Sequence, residues 1–94
     1  MKNGSGMIKI TSSARFLKSL KRLPQPIQEK ADERHRIFKK NPFDFRLATH
    51  KLHGRFTGFW AYSVDYHYRV IFVFENTHTV TYHDIGSHHI YGSE

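Results

Sequence analysis

Tyr68-Arg69-Val70-Ile71-Phe72-Val73-Phe74-Glu75 is the stretch on which the fold turns. Residues 70–74 are apolar without a break, and each is β-branched or aromatic. Both faces of such a segment favour burial, so it reads as the central strand of a sheet. Asn76-Thr77-His78 follows as a turn, and residues 79–85, rich in β-branched side chains, form the next strand. On the other side residues 59–65 alternate, with Trp60, Tyr62 and Val64 on one face. Strands joined by short steps predict an antiparallel meander of three to four strands. Gly54 and Gly58 bracket a turn or strand entry within residues 52–59.

Upstream the apolar period changes from two to 3.6. Phe16, Leu17, Leu20 and Leu23 make one helical stripe behind the capping hydroxyls of Thr11, Ser12 and Ser13, and Pro24 ends the helix. Pro26 suits the first position of a second helix, with Glu29, Asp32 and Glu33 in its early turns and Lys39 and Lys40 in its last. Ile27, Ala31 and Phe38 mark its buried side, with Ile37 flanking, and Asn41-Pro42 stops it. A linker this short makes the pair an antiparallel hairpin. Residues 7–11 alternate as an N-terminal strand, so the expected class is α+β: one strand, a helical hairpin, then the meander, with the helices on one sheet face and the other partly open. Residues 1–6 read as a flexible Gly-Ser leader and residues 7–94 as a single domain.

Charge is divided along the chain. The 94 residues carry a formal net charge of +7, yet 14 of the 15 Lys and Arg lie in residues 1–55. Residues 56–94 hold Arg69 alone against Asp65, Glu75, Asp84 and Glu94. A basic half of this kind suits a polyanionic partner such as nucleic acid or an acidic protein. The absence of cysteine excludes a disulfide framework, a thiolate nucleophile and Cys-ligated zinc. No apolar run nears the roughly 18 residues of a membrane span, and residues 1–6 lack the apolar stretch of a secretory signal. The expectation is a cytoplasmic protein without membrane contact.

Ionisable side chains gather in three segments, around His50–Arg55, Asp65–Arg69 and Gly86–Tyr91. The chain has eight histidines, the side chain that titrates near neutral pH. Imidazole pairs can cleave RNA without metal: a base takes the 2′-OH proton, a cation meets the charge on phosphorus, and an acid protonates the 5′ oxygen. Other readings compete. His50 and His53 have a ligand-like spacing, but no carboxylate pair joins them, so neither metal nor cofactor is expected. Arg69 is either a phosphate ligand or an ion-pair partner of Asp65. Lys18, Lys21 and Arg22 form a solvated helix face. His35, His78 and His83 are incidental. Tyr91, past the last strand, has little core to join.

In order and spacing, Thr49-His50-Lys51-Leu52-His53-Gly54, Gly58-Phe59-Trp60, Tyr68-Arg69-Val70-Ile71-Phe72, Asp84-Ile85-Gly86-Ser87-His88 and Tyr91 resemble the RelE/ParE superfamily of bacterial toxins. The likeness is to its RelE/StbE and YafQ-like mRNA interferases of type II toxin–antitoxin systems. Phe16-Leu17-Lys18-Ser19-Leu20-Lys21-Arg22-Leu23-Pro24 and Asn41-Pro42 fit as well, so the resemblance covers about residues 8–92. It implies a RelE-like fold, endoribonuclease action on mRNA, commonly on the ribosome, and a cognate antitoxin as partner. It further implies that Arg69 binds phosphate, that His88 and His50 are acid–base residues, and that Tyr91 is a catalytic or base-stacking aromatic. His67, a further catalytic candidate because imidazole can also take a proton, stands where YafQ-like members carry an aspartate, and Ser63 where they carry another histidine. Lys51, His53 and Arg55 would contact RNA. The alternatives are a ParE-like gyrase poison without nuclease chemistry and an inactive RNA-binding member. The histidine-plus-tyrosine tail favours the nuclease.

Overall fold

The computed structural model describes residues 7–91 and the side chains of residues 7–89. The leader of residues 1–6 lies outside the described residues. In chain order the elements are β1 (Lys9–Ser12), α1 (Ala14–Arg22), α2 (Gln25–Lys40), β2 (His50–Lys51), β3 (Trp60–Ser63), β4 (Tyr68–Asn76), β5 (Thr79–Ser87) and α3 (His88–Tyr91). Single 3-10 turns occupy Phe45–Leu47 and Gly54–Phe56. The strands form one sheet in the order β1-β5-β4-β3-β2. From β2 to β5 it is the expected antiparallel meander. β1 pairs in parallel with β5, which makes the sheet mixed.

Ser13 fixes that parallel edge. Its backbone N–H donates to the Tyr82 carbonyl at 3.0 Å, and its hydroxyl donates to the His83 carbonyl at 2.8 Å. The same oxygen accepts from the Phe16 N–H at 3.0 Å, the N-cap bond of α1. α1 therefore starts where β5 dictates. Leu23 and Pro24 connect the helices, and Pro26 lies in the first turn of α2. That turn contains no acid. The acidic residues further along α2 serve instead in local pairs, Asp32 with Arg36 at 2.7 Å and Glu33 with Lys30 at 3.9 Å, which are exposed and contribute little.

Both helices pack on one sheet face. Phe38, fully buried, meets the rings of Tyr62 at 4.8 Å, Phe72 at 4.9 Å and Tyr82 at 5.8 Å. A polar chain crosses this core. Tyr62 donates its hydroxyl to Tyr82 at 2.9 Å, and Tyr82 Oη lies 3.0 Å from His35 Nδ1. Burial raises both tyrosine pKa values and lowers that of His35. His35, read from the sequence as incidental, is thus half-buried and satisfies a buried hydroxyl.

The opposite face is covered at its centre. Leu52, Ala61 and Ile71 form a second small cluster under Phe56 and Phe59, delivered by the turn that Gly58 enters at φ +97°. A bulge in β5 also sorts the two faces. Ile71 pairs with Asp84 and Phe72 with Tyr82, leaving His83 as the extra residue. That shift brings Ile85 onto the helix side with Val80 and Tyr82. No helix among the described residues is long and apolar enough to cross a membrane.

Candidate functional site

Beyond the second cluster, the uncovered face continues toward the β3–β4 turn. Asp65 builds that turn: its Oδ1 accepts from the N–H groups of His67 at 2.8 Å and Tyr68 at 2.9 Å. The His67 carbonyl then accepts the His88 N–H at 2.7 Å, which ties the start of α3 to the turn. Two residues 21 positions apart are brought together in this way. The imidazoles of His67 and His88 lie 6.2 Å apart, their planes 22° from parallel. His89 stacks on His88 at 4.5 Å. The ring of Tyr66 lies edge-on to His67 at 5.1 Å and 6.2 Å from His88.

Arg69 belongs to the same end of the sheet. It pairs with Ser63 on one side and Gly86 on the other. Strand alternation puts all three on the face of Ala61 and Ile71, away from the helices. Arg69 makes no ion pair among the described residues, and its buried Nε has no hydrogen-bond partner among them. Asp65, whose Oδ1 is held by the turn, is not its partner. A buried cation edge without a counter-charge is suited to receive an anion.

His50 reaches the same face from β2, where it stands opposite Ala61. Its Nδ1 lies 2.9 Å from the Ala48 carbonyl. A carbonyl only accepts, so the neutral ring carries its proton on Nδ1. In register His50 aligns, through Ala61, with Ile71. It therefore sits about 10 Å from β4, two strand spacings away, at the far side of the face from His88. His53 caps the 3-10 turn, and Arg55 lies over the Phe56 ring at 5.6 Å. Both are exposed at the rim. Lys51 is not brought to this face: its ammonium lies 5.6 Å from the Trp60 ring centroid, on the helix side of β2. Tyr91 falls in α3, and its side chain lies outside the described residues.

The structure thus gathers His67, Arg69 and His88, places His50 on the same face, and turns Lys51 away. Tyr66 is passed over by the sequence reading. Its signal was available, as an aromatic in a turn between Asp65 and His67, outside the alternation of either strand. Among the described residues no three His, Asp or Glu side chains converge as metal ligands. The cluster offers proton donors and acceptors beside one uncompensated cation, which is the equipment for acid–base attack at a phosphate.

No protein-family model matches the chain, and no curated protein matches it significantly. Solved structures do match in fold. YafQ from E. coli superposes with a TM-score of 0.73 at 16% identity, over 88% of this chain and 96% of that one. A chain of the archaeal RelE-RelB complex from Pyrococcus horikoshii gives 0.69 at 20% identity, over 86% and 94%. A YoeB/ParE toxin from Agrobacterium tumefaciens gives 0.70 at 16% identity, over 86% and 99%. The chain has the RelE-like toxin fold.

Proposed function

We propose that this chain is the toxin of a type II toxin–antitoxin pair, an endoribonuclease that cleaves mRNA, held on the ribosome, by acid–base catalysis without metal. The observation that carries this reading is Arg69. It is partly buried, lacks a carboxylate partner among the described residues, and lies in register at the same end of the sheet as the His67–His88 imidazole pair, on the face that the helices leave free. In the proposed reaction one imidazole removes the proton from a ribose 2′-OH. The oxygen attacks the adjacent phosphorus, and Arg69 meets the charge that develops on the non-bridging oxygens. A second imidazole gives a proton to the departing 5′ oxygen, leaving a 2′,3′-cyclic phosphate and a 5′-hydroxyl. His88 is assigned one of these proton transfers. His50 or His67 takes the other. Tyr91 is assigned to base stacking, and Arg55 and His53 to the RNA rim.

The basic helical hairpin, with Arg15, Lys18, Lys21 and Arg22 on α1, suits ribosomal RNA and an acidic antitoxin segment alike. Several solved structures of similar fold are complexes with an antitoxin, as for E. coli DinJ-YafQ, which supports such a partner here. The proposed setting is the cytoplasm. Fold similarity spans both the YafQ and the YoeB/ParE descriptions, so the test separates nuclease from gyrase-poisoning activity. Induced expression in bacteria is expected to stop translation before it alters DNA supercoiling. Purified protein is expected to cut ribosome-bound mRNA, and His88→Gln to lose about 10²–10⁴-fold in rate, the usual worth of one acid–base group. Supercoiling changing first, or full activity in His88→Gln, refutes the assignment.

A further inference from the structure

Tyr66 is a shared wall. On one side its ring borders the His67 and His88 imidazoles. On the other it lines a separate cleft of about 340 Å³ with Arg34, Arg46, Ser63, Val64 and Asp65. The tyrosine is 83% exposed, so its ring is accessible to a ligand.

The charges in this cleft are unequal in availability. Arg46 is neutralised: its Nε and Nη2 donate to the two carboxylate oxygens of Asp44, each at 2.9 Å. That pairing also holds the Asp44 carboxyl down at about 2. Asp65 is engaged through Oδ1 with two backbone N–H groups of its turn, which disperse its charge. Arg34 has no carboxylate partner among the described residues. Its Nη1 donates to the Arg46 carbonyl at 3.1 Å, and its Nε is buried without a partner among them. Arg34 and Arg69 are the two arginines whose buried Nε is unsatisfied in this way. They sit on either side of the β3–β4 turn, one in the cleft and one at the imidazoles. This is the pattern expected of a strand of phosphates running across the turn, with an aromatic between them.

We propose that the cleft is a second nucleotide subsite, resting on the nuclease reading above. One unpaired nucleotide next to the scissile phosphate stacks its base on Tyr66 and sets its phosphate on Arg34. Single-stranded RNA is the ligand class, because stacking on an aromatic requires a base freed from its helix. Arg34 and Tyr66 act as binding residues and take no part in proton transfer. The cleft thereby fixes which phosphate reaches Arg69.

The test uses single-stranded oligoribonucleotides, 2′-O-methylated to prevent cleavage and carrying 2-aminopurine at successive positions. Wild type is expected to quench the fluorophore at one position. Tyr66→Phe is expected to keep the quench. Tyr66→Ala is expected to lose it and bind about tenfold more weakly, the worth of one stacked base. Arg34→Gln is expected to weaken binding and to lower the slope of log affinity against log salt by about 1. An exposed ring has no stability role, so both Tyr66 variants should melt with wild type. Arg34 also ties α2 to the Phe45–Leu47 turn, so a lowered melting temperature in Arg34→Gln leaves the decision to the Tyr66 pair. Cleavage of ribosome-bound mRNA is measured alongside, where Tyr66→Ala should raise KM and spare kcat. If wild type cleaves and Tyr66→Ala matches it in KM, quench and affinity, the subsite is overturned while the nuclease reading stands. If wild type neither binds nor cleaves RNA, both fall together.

Discussion

Replacing Arg69 with methionine separates what the residue does for the fold from what it does for chemistry. Methionine keeps most of the aliphatic stem and removes the guanidinium. In the present structure that guanidinium makes no ion pair among the described residues, and its Nε is buried and unsatisfied among them. An unpaired buried donor costs about 1–3 kcal/mol. Arg69 is only partly buried, so the low end applies. Arg69→Met should therefore gain about 1 kcal/mol in stability, which for a domain of this size is a rise of about 4–8 °C in Tm. Activity should move the other way. Removing one preorganised group that meets transition-state charge costs about 10²–10³-fold in rate, or about 3–4 kcal/mol of barrier. The assay pairs a thermal melt of the purified protein with cleavage of ribosome-bound mRNA. A gain in stability with a loss of cutting is the signature of a residue held for function at the expense of stability. A Tm that drops together with activity would show Arg69 to be a structural partner. A rate within a few-fold of wild type would place the chemistry elsewhere.

Two further predictions concern the frame around the site. Tyr62 donates to Tyr82, so the Tyr82 proton is left for His35 Nδ1, which must be unprotonated to accept it. Desolvation first, then Lys39, lowers the His35 pKa below its ordinary 6.5, with Arg36 adding to this and Asp32 opposing it. As pH falls, the unfolded chain binds this proton before the folded one does, so the stabilisation is complete above 6.5 and is lost as pH drops through the folded value. Tm should decline as pH falls below 6.5, and His35→Gln, which keeps an acceptor, should flatten part of that slope; an unchanged slope refutes the role. Ser13→Ala removes the α1 cap and the bond to the His83 carbonyl. It should cost about 1–2 kcal/mol by denaturant melt, and a cost below about 0.5 kcal/mol would mean that β1 and α1 are held without it.

Much of the frame was legible because it depends on local periodicity. The apolar run of β4 spans Tyr68–Asn76, one residue beyond the expected 68–75, and β5 runs Thr79–Ser87, two beyond 79–85. β3 is shorter than expected, Trp60–Ser63 against 59–65, because Asp65 takes the following N–H groups for a turn. Pro24 and Asn41-Pro42 bounded the helices because proline restricts the residue before it. The acids of α2 stand past its first turn, where Asp32 and Glu33 serve in side-chain pairs rather than at the positive end of the helix. His35 was misread because a histidine on a polar helix gives no sign of the tyrosine hydroxyl it faces, 47 positions away.

By itself the sequence determined the order of β1, α1, α2 and β3 to β5, the shared face of Trp60, Tyr62 and Val64, and the three segments that hold the ionisable side chains, but not the short β2 or α3. All of these follow from spacing along one chain. Tertiary structure alone decided that β1 lies parallel to β5, that a bulge at His83 turns Ile85 inward, that Lys51 leaves the site for Trp60, and that Arg69 is not paired with Asp65. Each is a choice among partners distant in sequence, made by hydrogen-bond geometry and packing. Residue types record which partners are chemically suitable; only the folded chain brings one of them within reach.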